Sequence, residues 1–183
     1  MPVVLTAWSW VSIGTSDVAA ACHFWVDMLG FECIDRAEGD DPGLRQHWQL
    51  TDRQIRRQVM LRSPGAACGA IHLVEYDTAA ATVRQDAAVF DLCPKNLDIY
   101  VDDLPLRMAE LTARGVRFRN EQYSEAVSPD GVHFREIHLA GHDDINIVLL
   151  QIMGDGALPT ESGFYGVGPL AVSYTHLTLP TTD

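Results

Sequence analysis

The chain has 183 residues, with 13 Lys and Arg against 25 Asp and Glu, a formal net charge of −12. An apolar share of 47 % and a mean hydropathy near zero exclude low-complexity disorder, and no run of ~18 apolar residues offers a membrane span. The acidity argues against nucleic acid as a partner, since phosphate contacts need clustered Lys and Arg. Lys95 is the only lysine, and the one arginine cluster, Arg53, Arg56 and Arg57, reads as a solvated hairpin end.

In chain order, Trp8, Trp10 and Ser12 alternate with Ser9, Val11 and Ile13, which suits a strand covered on both faces. Ser16 or Asp17 can cap a helix in which Val18, Ala21, Cys22, Trp25, Val26 and Leu29 form one apolar stripe. Gly30 ends it as a left-handed cap, and Phe31–Asp35 opens a strand. Residues 39–43 are a loop, His47–Leu50 and Gln58–Arg62 read as two short strands around a polar turn, and Ala70–Tyr76 is a final strand. The whole reads as a βαβββ module over residues 5–76.

After an Ala-rich connector, 77–95, the order returns over residues 96–152. Leu97–Val101 is a strand. Asp102 or Asp103 caps a helix carrying Leu106, Ala109, Leu111 and Ala113, which Gly115 stops. Val116–Arg119, Val132–Leu139 and Ile145–Ile152 are strands. From Asp17 to Gly30 is 13 positions and from Asp103 to Gly115 is 12, so the repeat is close in spacing though weak in residue identity. A linker follows at 153–167, and Gly168–Ala171 looks like the start of a third unit. Residues 172–183 carry no charge before Asp183 and match the translation of a transposon-type sequencing adapter. They are expected to be foreign to the natural chain, which would then continue past Ala171, leaving Tyr174 and His176 without function.

Cys22, Cys33, Cys68 and Cys93 show no metal-ligand spacing, and no basic leader precedes them. They read as reduced, mostly buried thiols of a cytoplasmic protein. Cys22 beside His23 is weak evidence for a nucleophile, because adjacent helix residues point in different directions.

Asp17-Val18, His23-Phe24-Trp25 and Met28-Leu29-Gly30-Phe31, with Val101-Asp102-Asp103-Leu104, Leu111 and Gly115-Val116 in the second module, resemble the vicinal-oxygen-chelate (VOC) superfamily. That superfamily comprises glyoxalases, bleomycin- and fosfomycin-resistance proteins and extradiol dioxygenases. The stretches 71–75 and 147–151 resemble its closing strand. The resemblance spans residues 5–152 and implies an α+β fold in which paired βαβββ modules form one half-open cup. It also implies a divalent metal held by a first-strand residue and a closing-strand Glu of the modules, acting as a Lewis acid.

Carried over residue by residue, that pattern puts Trp10 and Asn96 at the first-strand positions and His72 and Val148 at the closing-strand positions. Trp and Val cannot ligate, Asn is a poor ligand, and His72 is the one good donor, so the expectation is a cup without a metal in this chain. Iron, manganese, zinc or nickel would belong to a longer protein. His72 is either a lone ligand or an imidazole hydrogen-bonded within a half-buried strand. Trp10 and Trp48 either form an aromatic wall or fill the cup. His133, His138 and His142 read as surface or loop residues, and Asp40-Asp41 and Asp102-Asp103 as a turn and a helix cap.

The leading expectation is the metal-free N-terminal half of a glyoxalase- or dioxygenase-like enzyme. The alternative is a binding protein of the bleomycin-resistance type that sequesters an aromatic compound, with Trp10, Trp48, Asn96, Phe134 and Val148 as the ligand-contacting residues. A metal-dependent lyase of the glyoxalase type would need His47, His72 or Glu75 to converge. The expected partner is a small molecule, with neither nucleic acid nor membrane, and the family habit of pairing cups suggests a homodimer.

Overall fold

The computed structural model describes residues 9–78, 81–82, 94–129, 131–154, 162–168 and 170–172. Trp8, Cys93, most of the connector, the middle of the 153–167 linker and residues 173–183 with Tyr174 and His176 lie outside the described residues.

In the first module β1 (Trp10–Thr15) is followed by α1 (Val18–Cys22), which widens into a π-helical turn at His23–Met28. Next come β2 (Glu32–Glu38), a short α2 (Pro42–His47), β3 (Ile55–Arg62) and β4 (Ala70–Tyr76). The sheet order is β1-β4-β3-β2, with β1 parallel to β4 and the other pairs antiparallel. The second module repeats the plan with β5 (Pro94–Val101), α3 (Leu104–Ala113), β6 (Ser124–Val127), β7 (His133–Ala140) and β8 (Asn146–Ile152). Its order is β5-β8-β7-β6, again with the first strand parallel to the last. Two short strands, β9 (Phe164–Tyr165) and β10 (Leu170–Val172), pair antiparallel with β5.

Local chemistry explains the helix ends. Of the two cap candidates Asp17 acts: its Oδ1 accepts from Ala19 N at 2.8 Å and Ala20 N at 3.2 Å. Gly30 has φ 71°, and the bonds Gly30 N to Val26 O and Phe31 N to Trp25 O, each 3.0 Å, satisfy the last carbonyls of the π-helical turn around this left-handed residue. A Cβ on Gly30 would also sit 2.8 Å from Ser162 Cβ.

Five expectations need correction. Phe24, omitted from the apolar stripe, is buried, because the wider π turn rotates both Phe24 and Trp25 toward the core. His47–Leu50 forms no strand. Pro42 in the first turn and Asp41, whose side chain accepts from Leu44 N at 2.8 Å, start α2 earlier, inside the stretch 39–43 read as a loop, and the helix ends at His47 in a turn with Gln49 at φ 57°. On α3 the core-facing residues are Leu104, Met108 and Leu111, at i, i+4 and i+7, while Leu106 is 47 % exposed. Val116–Arg119 makes a single bridge, Phe118 to Leu139, and the ladder partner of β7 is β6, for which no strand was expected. β1 is also not covered on both faces, since Trp10 and Ser12 are exposed.

One row of each sheet points into a shared core. Ile71 and Leu73 of β4, Ile147 and Leu149 of β8, and Ile137 and Leu139 of β7 join Trp25, Leu29, Leu104 and Leu111 from the helices. Burial of side chains of this size stabilises by ~1.5–3 kcal/mol each, so the two modules cannot be separated without exposing a common interior. The turn between β7 and β8 adds a polar tie between modules. Asp143 Oδ2 accepts from Thr15 Oγ1 at 2.6 Å and Ser16 N at 3.0 Å, and its Oδ1 accepts from Ser16 Oγ. Asp143 and Asp144 hold left-handed backbone, φ 49° and 58°, which this tie helps to enforce. Among the described residues no helix is long and apolar enough to cross a membrane.

Candidate functional site

The sheet rows opposite the shared core line the cup. On the first module's cup face, register sets Trp10 beside Ala70 and Ser12 beside His72. His72 is buried, and both its ring nitrogens are engaged: Nε2 lies 3.0 Å from Gln58 Oε1 and Nδ1 lies 3.2 Å from Ser12 Oγ. A carbonyl oxygen can only accept, so Nε2 carries the proton and Nδ1 accepts from the Ser12 hydroxyl. Burial lowers the His72 pKa, which keeps the ring neutral. The Trp48 ring, at the end of α2, stands 5.9 Å from the His72 ring at a tilt of 44°.

On the second module's cup face Asp98 pairs with Val148, and Val148 with His138, so the acid and the imidazole flank a valine across three strands. The next row holds Tyr100, Leu150 and Glu136. Desolvation raises the Asp98 carboxyl to about 6. The Asn96 amide, which donates to it, opposes that shift, and the Glu136 charge adds to it. Asn146 donates to His138 Nδ1 at 2.9 Å while accepting from Arg119 Nε at 2.9 Å. Phe134 pairs with Ile152 farther along the same face.

The structure therefore brings His72 and Trp48 together, and puts Asn96, Val148 and Phe134 on one face of the second sheet. Trp10 is 56 % exposed, so it fills no interior. Sequence reading missed Ser12, Gln58 and Asp98. The first and last follow from cross-strand register, since positions 12 and 98 lie directly beside the closing-strand positions 72 and 148.

Glu75 and His47 do not join His72. Glu75 points the other way along β4, accepting from Val18 N at 3.0 Å and facing Arg56 and Arg57 at 3.5 and 3.6 Å. It caps α1, as Gln151 does for α3 by accepting from Leu104 N at 3.1 Å. Those arginines are therefore partners of a buried acid more than a solvated end. His47 is exposed on α2. His142, read as a surface or loop residue, sits in the β7–β8 turn but packs its ring on Phe24 and Trp25. It borders a separate cavity of about 420 Å³ on the helical side, with Phe24, Met28, Val116, Arg117 and Asp143.

The side chains at the four ligand positions do not fit a divalent metal. Trp10 and Val148 offer no donor pair, the Asn96 amide is turned to Asp98, and both His72 nitrogens are committed. Among the described residues, no three His, Cys, Asp or Glu side chains gather in a way that could hold a metal ion.

No protein-family model matches the sequence, and no curated protein matches it. Solved structures do. A glyoxalase family protein from Bacillus cereus superposes with a TM-score of 0.63 at 20 % identity, covering 82 % of this chain and 97 % of that one. The trypanothione-dependent glyoxalase I of Leishmania major gives 0.55 at 16 % identity over 80 % and 87 %. A glyoxylase/bleomycin resistance protein/dioxygenase domain from Frankia sp. EAN1pec gives 0.54 at 17 % identity over 82 % and 100 %. At these identities the likeness is one of backbone architecture, in keeping with the repeated strand order of the two modules. The chain has the paired-βαβββ fold of the glyoxalase/bleomycin resistance/dioxygenase (VOC) superfamily.

Proposed function

We propose that this cup binds a planar, hydrogen-bonding small molecule and does so without a metal. The observation that carries the reading is His72: the one good donor at the ligand positions has both ring nitrogens used by Ser12 and Gln58, with Val148 at the matching position of the second module. What is left for a ligand is aromatic and polar surface. Trp48 and Trp10 offer ring faces, Phe134 a third, and Asp98, Glu136 and His138 offer hydrogen-bonding groups around Val148.

A sequestering protein of this kind uses the cup as it stands. The metal-free half of a longer glyoxalase- or dioxygenase-like enzyme would use it in the same way, with its chemistry supplied by later modules.

The test is a titration of the purified chain with catechols and other planar aromatics while tryptophan emission is followed. Saturable quenching that is lost in Trp48→Leu is the expected result. A stoichiometric zinc, manganese, nickel or iron ion that survives gel filtration and disappears in His72→Ala would overturn the metal-independent reading.

A further inference from the structure

The cup face of the second module holds a histidine whose proton is placed by a chain of other side chains. Arg119 Nη2 donates to Asp144 Oδ1 at 2.8 Å, and its Nε donates to Asn146 Oδ1 at 2.9 Å. A guanidinium can only donate, so that contact fixes which end of the Asn146 amide is oxygen. The amide nitrogen is therefore the atom 2.9 Å from His138 Nδ1, and it donates there. An Nδ1 that accepts carries no proton. His138 is thus the neutral tautomer with its proton on Nε2, which meets no partner among the described residues.

His138 and Asp98 stand on the same side of the sheet. Leu97, Ile99, Ile137 and Leu139, their neighbours in sequence, point into the core, so strand alternation turns Asp98 and His138 into the cup. Register places the buried Val148 between them, and two strand spacings set them about 10 Å apart. Asn96 donates to Asp98 Oδ1, and Oδ2 has no partner among the described residues. Between Asn96, Asp98 and Tyr100 on β5 and Phe134, Glu136 and His138 on β7 stands no lysine or arginine. The row offers an acceptor at one end, a donor at the other, and a negative field that disfavours anions.

We propose that Asp98 and His138 are the two ends of the ligand seat, selecting a neutral planar ring that donates a hydroxyl hydrogen to Asp98 and accepts at a carbonyl oxygen from His138 Nε2–H. Asn146 is the positioning residue that keeps His138 a donor. The proposal rests on the cup reading above and names the class of ligand; a hydroxyaryl ketone is its simplest member.

Three probes separate the two ends: 4-hydroxyacetophenone, 4-methoxyacetophenone, which has no hydroxyl hydrogen, and 4-ethylphenol, which has no carbonyl. The intact chain is titrated by calorimetry at pH 8, where Asp98, with its pKa of about 6, is ionised. The first probe should bind on the order of tenfold tighter than either of the others. Asp98→Ala abolishes the preference over the methyl ether alone, and His138→Phe or Asn146→Leu abolishes the preference over 4-ethylphenol alone. In the ligand-free chain a long-range proton–nitrogen NMR spectrum reads the tautomer directly: a protonated Nε2 and a bare Nδ1 on His138 in the wild type, and a mixture of tautomers in Asn146→Leu. Equal affinity for the three probes, or binding of catechols with none of them, overturns this assignment and leaves the cup reading standing. No saturable binding of either class overturns both. A proton on His138 Nδ1 in the neutral wild-type ring overturns the assignment whatever the probes do.

Discussion

Replacing His142 by Phe removes an ionisable ring that the fold holds neutral. The ring packs on Phe24 and Trp25, at 6.0 and 6.1 Å between centroids, and neither of its nitrogens has a hydrogen-bond partner among the described residues. Burial pulls its pKa from 6.5 to about 4, and the nearby Asp143 charge offsets only part of that. The folded pKa is below the unfolded one, so the unfolded chain takes up the proton first as pH falls. Stability is therefore full above about 6.5 and is lost down to about 4. A gap of about 2.5 pKa units is worth ~3 kcal/mol in total, of which ~2 kcal/mol is already lost at pH 5. Urea unfolding of the wild type and His142→Phe at pH 7.5 and pH 5.0 measures this directly. The wild type should lose ~2 kcal/mol more than the variant between the two conditions. If the two proteins lose stability in parallel, within ~0.5 kcal/mol, the ring is not held neutral by burial and the reasoning fails.

Asp98 has the opposite sign. Its folded pKa, about 6, lies above the unfolded value, so the protein pays for that carboxylate as pH rises from about 4 to 6. Asp98→Asn should unfold at higher temperature than wild type at pH 8 and at nearly the same temperature at pH 4. The gain would be ~1–2 kcal/mol once partial exposure is discounted, and equal melting temperatures at pH 8 would refute the burial argument. Gly163→Ala should lower the melting temperature at every pH. Gly163 has φ 77°, and a Cβ there would land on the Arg107 guanidinium. That guanidinium is held by Asp102 and Glu110 at 2.9 and 2.6 Å and lies over the Phe164 ring. The backbone conformation alone costs an L-residue ~1–2 kcal/mol, so an unchanged melting temperature would show that the 162–168 segment does not anchor on α3.

What was legible in the sequence is what local physics sets. Asp17 and Asp103 announce helix starts because a carboxylate two or three residues ahead satisfies free N–H groups. Gly30 announces an end because only a residue without Cβ takes the left-handed cap without penalty. The repetition of such signals at nearly equal spacing was enough to pair the modules. At His47–Leu50 the pattern of apolar residues suggested a strand and misled; the cap chemistry of Asp41-Pro42 opens a helix just ahead of it, in residues that read as a loop.

The site was only half legible, because it is built across strands. His72 could be picked out as the one good donor. That its nitrogens are consumed by Ser12 and Gln58 depends on register between β1, β4 and β3, which residues 60 and 14 positions apart in sequence do not encode locally. The same holds for Asp98 beside Val148 and for His142, a loop residue by its neighbours and a core residue by its packing. Periodicity and capping determine which elements form. Only the pairing of distant strands and the closing of one core over two modules decide which side chains meet, since those contacts form between segments far apart in the chain.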